Sequence, residues 1–308
     1  MALQTAQQRG ARVSYKKTMR KYFIDILCKK LKKNKKTFFI VGDLGFDVVE
    51  PIQKKFPKNF LNAGISEQNM AGLAAGMASQ GFKVFIYSIA NFPTFRCAEQ
   101  IRNDIDYHNM DVTIVTVGAG VSYGSQGYTH HALQDYALMR SFPNIKIIAP
   151  GDNNELEKGM DYIFQNKGPK YLRLEKDMLP ENTNCSLGAI SDGYWRLLKK
   201  GRVRKAIVST GSCMQKSLEI SKKKKFENHY IYSVPMWSMK SKKIQKKYLN
   251  KITELLVVEN HFEDGGFSSW LREANGENTN IKIKSFSISS DVVGKVGDQK
   301  FLESKYFK

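Results

Sequence analysis

The string Asn62-Ala-Gly-Ile-Ser-Glu-Gln-Asn-Met70 puts a carboxylate, Glu67, into the first turn of a segment that reads as a helix capped by Ser66. The residues after it include Ala71, Gly72, Ala74, Ala75, Gly76 and Ala78. Each interior glycine costs about 0.8–1 kcal/mol of helix propensity, so something is expected to approach this helix closely. Taken alone, Glu67 is explained by the favourable interaction of an acid with the helix dipole. A second segment, Val117-Gly-Ala-Gly-Val-Ser-Tyr-Gly-Ser-Gln-Gly-Tyr-Thr-His-His131, follows an apolar run that reads as a strand. The spacing of Gly118, Gly120 and Gly124 nearly matches a dinucleotide fingerprint. However, Tyr123 to His131 reads as loop where that fingerprint demands a helix, and no acidic ribose partner follows. A glycine-rich loop ending in His130 and His131 reads instead as the wall or lid of a polar site. Adjacent histidines point in different directions, and the i, i+4 spacing that aims two imidazoles at one metal ion is missing. A third segment, Ser88-Ile-Ala-Asn-Phe-Pro-Thr-Phe-Arg96, leads from a strand into a helix. Phe92 and Phe95 there are either core residues or stacking surfaces for a cofactor, because parallel sheets bind ligands at the carboxyl ends of their strands.

Holding these segments in place requires an alternation of strands and helices, and the sequence supplies it. Short β-branched and aromatic runs at Thr37–Val41, Lys83–Tyr87, Val112–Val117, Ile145–Ile148 and Tyr171–Leu174 read as strands. Amphipathic stretches at Tyr22–Leu31, Glu67–Ser79, Phe95–Tyr107, Leu133–Arg140 and Asn154–Phe164 read as helices between them. The polar stretch from Leu179 to Gly188 marks a boundary. Beyond it Lys205–Ser209, Tyr230–Val234 and Glu254–Glu259 begin a second α/β series. The expected organisation is a disordered leader over residues 1–18, a first unit over 19–180 and a second over 189–308.

At 308 residues the chain is long enough for two cores, and its 42% hydrophobic content excludes a mainly disordered or low-complexity protein. No uncharged apolar run approaches a membrane span, and the N-terminal residues have no apolar stretch to act as a signal peptide, so a cytoplasmic protein is expected. Cys28, Cys97, Cys185 and Cys213 are far apart and form no CxxC pair, which predicts reduced thiols. The formal net charge is +20, from 49 Lys and Arg against 29 Asp and Glu. Its lysines gather in short runs without interleaved aromatics, which favours a solvated face or an acidic partner subunit over nucleic acid.

Together and in this order, the segments resemble the C-terminal half of transketolase, and more closely the C-terminal subunit of split bacterial transketolases. The matching strings are FFIVGDLG (38–45), NAGISEQNMAGLAAGMA (62–78), RCAEQIRND (96–104), GYTHHALQDYALMR (127–140), IAPGDNNE (148–155), GPKYLRL (168–174), IVSTGSCMQKSLE (207–219) and LLVVENHFEDGGFSS (255–269). The resemblance implies a parallel-sheet α/β domain that binds the pyrimidine ring of thiamine diphosphate, followed by a smaller α/β C-terminal domain. Glu67 matches the glutamate that hydrogen-bonds the aminopyrimidine ring nitrogen. It thereby favours the imino tautomer whose exocyclic nitrogen takes the thiazolium C2 proton. Phe92 is the candidate for stacking on the pyrimidine, one position from the family's phenylalanine, which aligns at Pro93, and Phe95 is a second cofactor-binding candidate. Asp43 matches the acid of the family's Asp-Leu string near the cofactor pocket. His130 falls where the family places a polar residue between cofactor and substrate, and His131 repeats a His-His pair of deoxyxylulose phosphate synthases.

Departures from the family pattern carry equal weight. The family's Gly-Asp-Gly motif, which holds the metal-diphosphate, is absent; Gly-Asp occurs only in Gly42-Asp43-Leu44, Gly151-Asp152-Asn153 and Gly297-Asp298-Gln299. A metal ligand is therefore not expected on this chain. The resemblance implies an N-terminal, diphosphate-binding partner subunit that holds Mg2+ or Ca2+, in an α2β2 heterotetramer. Where pentose-phosphate enzymes carry a histidine, an aspartate eight residues later and an arginine ending the strand near the boundary, this chain reads Gly118, Gln126 and Lys176. Fewer cations and a changed hydroxyl partner imply transfer of a two-carbon ketol or acyl unit to an aldehyde or keto sugar other than ordinary pentose phosphates. Gln126, Lys176 and His131 are the substrate-side candidates. Two other readings compete: a β subunit of a 2-oxoacid decarboxylating complex, and a basic α/β protein that binds nucleic acid.

Overall fold

Runs such as Val-Thr-Ile-Val-Thr-Val at 112–117 are buried along their whole length, as strands covered on both faces by helices must be. The computed structural model describes residues 18–176, 188–277 and 280–308. In chain order the strands are β1 (Thr37–Val41), β2 (Phe60–Asn62), β3 (Lys83–Ile89), β4 (Val112–Val117), β5 (Lys146–Ile148) and β6 (Lys170–Leu174). They continue as β7 (Arg196–Lys199), β8 (Lys205–Ser209), β9 (Tyr230–Ser233), β10 (Met236–Ser238), β11 (Glu254–Val258) and β12 (Lys282–Phe286). The first sheet has the order β10-β5-β6-β4-β3-β1-β2 and the second β12-β11-β8-β9-β7. All pairings are parallel except β10 with β5 and β7 with β9. The result is the expected α/β architecture.

β10 lies between β9 and β11 of the second sheet in the chain but pairs at the edge of the first sheet, so the two sheets are laced together. Aromatic rings fill the seam. Trp237 of β10 meets Tyr136, Phe267 and Trp270 with ring centroids 5.2, 5.2 and 5.3 Å apart. Buried rings of this size dominate core energetics, and their polar atoms need partners. Here Trp270 Nε1 donates to Ser238 O at 3.0 Å and Trp237 Nε1 to Thr210 Oγ1 at 3.2 Å.

Two expectations need correction. The helix expected over Phe95–Tyr107 is broken into Asn91–Phe95, Ala98–Gln100 and a wider π-helical turn over Ile101–Asp106. The joint is at Cys97, whose backbone (φ −107°, ψ 12°) leaves the helical region. The helix expected over Leu133–Arg140 shortens to Asp135–Met139, because Ala132 bridges to Ala119 and Gly120 instead of coiling. β2, β7 and β10 carry no strong alternating pattern and are not legible as strands in the sequence, two of them having only three residues, whereas β12 lies in the alternating run Ile281-Lys-Ile-Lys-Ser-Phe286 that the sequence reading passed over. The leader and the boundary stretch lie mostly outside the described residues. Cys28, Cys97 and Cys213 are free thiols, and Cys185 is outside the described residues.

Candidate active site

Glu67 opens the helix Glu67–Ser79 and is 4% exposed, although Ser66 makes no side-chain cap bond. The Glu67 side chain lies against Gly42 at the end of β1, where a Cβ would stand 3.7 Å from Glu67 Cγ. The next residue, Asp43, turns the chain with φ +54°. Its N–H donates to Asn62 Oδ1 at 3.0 Å, and its Oδ1 accepts from Asn62 Nδ2 at 2.8 Å. This two-way bond pins the β1 turn to the end of β2, beside the approach to Glu67. Helix glycines Gly72 and Gly76 have open space where a side chain would stand, so no described part of the chain makes the close approach expected there.

Both oxygens of Glu67 accept from Arg96 Nη1, at 3.1 and 3.0 Å. The guanidinium carbon of Arg96 lies 4.4 Å from the centre of the Phe92 ring, and Phe92 meets His130 edge-on with centroids 5.2 Å apart. His130 in turn lies 6.3 Å from Tyr123, and Lys176 Nζ stands 5.1 Å from the centre of the Tyr123 ring. One line of contacts therefore runs from Glu67 to Lys176. His130 Nδ1 pairs with Thr129 Oγ1 at 3.0 Å. Burial, and then the charge of Arg96, lower the His130 pKa, so the ring is neutral at neutral pH and can take up a proton.

The remaining candidates are placed differently. Phe95 is 46% exposed and takes no part in this line of contacts, whereas Pro93 and Thr94 beside it are buried. His131 has no exposed surface and lies edge-on to Tyr128 at 6.4 Å; burial lowers its pKa. Its ring lies inside the chain, beneath the loop. Gln126 is exposed, at the end of the short turn Gly124–Gln126. Near Lys176 the structure adds a cation that sequence reasoning missed: Arg20 Nε donates to Lys176 O at 3.0 Å.

The glycines of the loop have specific causes. Gly118 (φ +94°) would place a Cβ 2.2 and 2.3 Å from two Tyr123 ring carbons, so the tyrosine fills the space a side chain at 118 would take. Gly120 (φ +60°) would clash with Asn260 at 2.9 Å. That second contact belongs to a strut centred on Arg173 of β6, also absent from the sequence reading. Arg173 Nε donates to Asp135 Oδ2 at 2.7 Å, Nη2 to Ala132 O at 2.8 Å and Nη1 to Asn260 Oδ1 at 2.6 Å. The guanidinium also lies 4.2 Å from the centre of the Tyr136 ring. The histidine loop is thus hung between the two sheets. Arg96 and Arg173 both sit inside matching strings, but an arginine's partner cannot be read from its neighbours in sequence.

The "Transketolase, pyrimidine binding domain" family matches residues 15–182. The chain is 30% identical over 262 residues to one subunit of the apulose-4-phosphate transketolase of Actinobacillus succinogenes, covering 84% of this chain and 83% of that protein. It is 32% identical over 287 residues to the putative transketolase C-terminal section of Methanocaldococcus jannaschii, covering 91% and 89%. Among solved structures, one described as "Split gene transketolase, inactive beta4 tetramer" superposes with a TM-score of 0.78 at 26% identity, over 94% of this chain and 93% of that one. The chain belongs to the transketolase family and carries that family's pyrimidine-binding domain.

Proposed function

We propose that this chain is the C-terminal subunit of a two-chain, thiamine diphosphate-dependent transketolase. In this reading residues 19–180 form the pyrimidine-binding unit and 189–308 the C-terminal unit, and the enzyme works in the cytoplasm. The observation that carries it is the buried Glu67 carboxylate at a helix start, joined through one planar group to the face of Phe92 and on to His130. That planar group is the guanidinium of Arg96, and its fit supports a spacing of Glu67 and Phe92 that holds a flat, edge-donating ring between them. A pyrimidine fits that description.

Bound there, thiamine diphosphate supplies a carbon nucleophile that accepts and passes on a two-carbon unit. Glu67 holds and shares the proton on the ring nitrogen, in a water-poor position where such a bond is strong. Phe92 fixes the plane of the ring. Neutral His130, at the far edge of Phe92, takes or gives a proton on the oxygen of the reacting fragment. Asp43, through Asn62, holds the turn that closes over Glu67. Phe95 lies off this line and has no role in holding the ring.

Without Gly-Asp-Gly the chain has no route of the family's kind to the diphosphate, which makes a second polypeptide the holder of Mg2+ or Ca2+, in an α2β2 assembly. The open face over Gly72 and Gly76 is consistent with a close-packed neighbour, and the +20 charge with an acidic one. The relatives named as a subunit and as a C-terminal section support the two-chain reading. They give no support to a 2-oxoacid complex or a nucleic-acid protein.

The substrate is a sugar other than the ordinary pentose phosphates. Tyr123 occupies the room that a histidine at 118 would use, and Lys176, Arg20 and Gln126 supply the polar end. One relative is named for apulose 4-phosphate, a sugar outside that ordinary set. The test is reconstitution with a subunit of roughly 250–300 residues that carries Gly-Asp-Gly, a length ordinary for one α/β domain. Turnover is expected only in the mixture, and Glu67→Ala is expected to abolish C2-proton exchange of bound cofactor without loss of assembly. Full turnover by this chain alone, or unchanged exchange in Glu67→Ala, would refute the reading.

A further inference from the structure

Arg96 has the shape of the ring that Glu67 and Phe92 are proposed to hold. A guanidinium is planar, donates hydrogen bonds from its edge and stacks flat on aromatic faces. Here Nη1 reaches both Glu67 oxygens, at 3.0 and 3.1 Å, while the guanidinium carbon lies over the Phe92 ring, 4.4 Å from its centre. A second flat group cannot lie on that face of Phe92 or reach those oxygens while the guanidinium is there. We propose that Arg96 is an internal competitor for the pyrimidine seat, a residue that fills the seat in the chain without its partner and must swing out for the cofactor to enter. The proposal rests on the reading of Glu67 and Phe92 given above.

Two features make the movement feasible. Arg96 sits immediately before Cys97, where the helix expected to be continuous is broken, so its backbone is at a joint between two short helical pieces. Its side chain is 51% exposed and borders an open cleft of about 440 Å3 lined by Ile65, Ser66, Glu67, Gln68 and Arg96. The guanidinium can therefore move into solvent without unpacking the core. A half-exposed ion pair holds only modestly, which suits a group that is meant to be displaced. Apparent affinity is the intrinsic affinity scaled by the fraction of molecules with the seat open. A competitor that occupies the seat in roughly 80–90% of molecules weakens binding about five- to tenfold. Cofactor loading then depends on whatever draws Arg96 away, which gives the partner chain another means of control in addition to holding the diphosphate.

The experiment titrates the full-length chain, without a partner, with Mg-thiamine diphosphate and follows binding by calorimetry. The forms compared are wild type, Arg96→Met, Arg96→Lys and Glu67→Ala. Methionine has neither the donors for Glu67 nor the planar cation for Phe92, so nothing holds it in the seat, and Arg96→Met is expected to bind about five- to tenfold more tightly than wild type. Lysine can still pair with Glu67 but cannot stack as a plane, and is expected to lie between them. Glu67→Ala is expected to weaken binding. Equal or weaker binding by Arg96→Met, with Glu67→Ala still impaired, overturns the competition and leaves the pyrimidine assignment standing. Unchanged binding by Glu67→Ala overturns both. If neither wild type nor Arg96→Met binds at millimolar probe, vacating the seat has not opened it, and the proposal also fails.

Discussion

Replacing Arg173 by methionine should test whether the loop that carries His130 hangs on a single buried guanidinium. Arg173 and Asp135 are both essentially without solvent exposure, and Arg173 makes two contacts to the carboxylate, at 2.7 Å from Nε and 3.2 Å from Nη2. Its remaining donors go to Ala132 O, Tyr136 Oη and Asn260, so one side chain ties β6 to the histidine loop and to the segment after β11. Removing one partner of a buried pair strands the other charge, at a cost of about 3–5 kcal/mol. That is a large part of the roughly 5–15 kcal/mol by which domains are usually stable. Among the described residues Asp135 also accepts from Tyr171, whose hydroxyl donates at 2.6 Å. A single neutral donor does not compensate a buried carboxylate. The assay is urea unfolding of the full chain followed by circular dichroism, with Arg173→Met, Arg173→Met/Asp135→Asn and wild type compared. Asparagine removes the stranded charge and keeps an acceptor for Tyr171, so the double variant should recover at least about 1 kcal/mol of the single variant's loss. The account fails if the single variant lies within about 1 kcal/mol of wild type, or if the double variant is no better than the single.

His130→Ala should lower turnover of the reconstituted enzyme by about 10²–10⁴, the usual range for loss of a proton-transferring group, with little change in cofactor affinity. His131→Ala should instead lower the unfolding midpoint, because this ring is buried inside the chain; a larger turnover defect in His131→Ala than in His130→Ala would contradict both placements. Gly118→His should by itself destabilise the loop, since the new Cβ collides with the Tyr123 ring at 2.2 Å in a backbone conformation with φ +94°. Joined to Tyr123→Ala it should raise catalytic efficiency with xylulose 5-phosphate and ribose 5-phosphate relative to wild type. A wild-type efficiency already near the ~10⁴ M⁻¹s⁻¹ of ordinary enzymes with that pair would show that the pentose phosphates are its substrates.

What is legible in the sequence follows the range of the forces involved. Helix Glu67–Ser79 has the expected bounds, with the acidic Glu67 in its first turn, although the expected Ser66 cap bond is not made. β1, β4 and β8 also match their expected bounds, being runs of β-branched and aromatic residues between polar breaks. β10 is invisible at that level. Its three residues become a strand only because β5 offers an open edge, a fact that depends on a segment about 90 positions earlier in the chain. The same limit applies to the site. Glu67 and His130 can be read from their motifs, whereas Arg96 and Arg173 acquire their roles from partners 29 and 38 positions away. The helix break at Cys97 escapes the sequence because nothing in Phe-Arg-Cys-Ala-Glu is a strong helix breaker.

The residues joined by the line from Glu67 to Lys176 divide into two kinds of support. Phe92 and Tyr123 are planar and apolar and set distances, while Glu67, His130 and Lys176 carry the groups that can exchange protons or meet an anion. Arg96 belongs to neither kind, since in the present arrangement it satisfies Glu67 without contributing to transfer. Two of its contacts would have to be replaced by contacts of equal geometry before the line could work as a catalytic site. A flat heterocycle that stacks on Phe92 and presents an N–H edge to Glu67 replaces both together. A sugar hydroxyl can donate to Glu67 but brings no flat aromatic face to Phe92, and a free phosphate dianion is repelled by the carboxylate, so neither replaces both contacts together. On the proposed reading, the chemistry of the seat selects the cofactor's ring before any substrate, and substrate choice is left to the far end of the line, at Tyr123, Gln126 and Lys176.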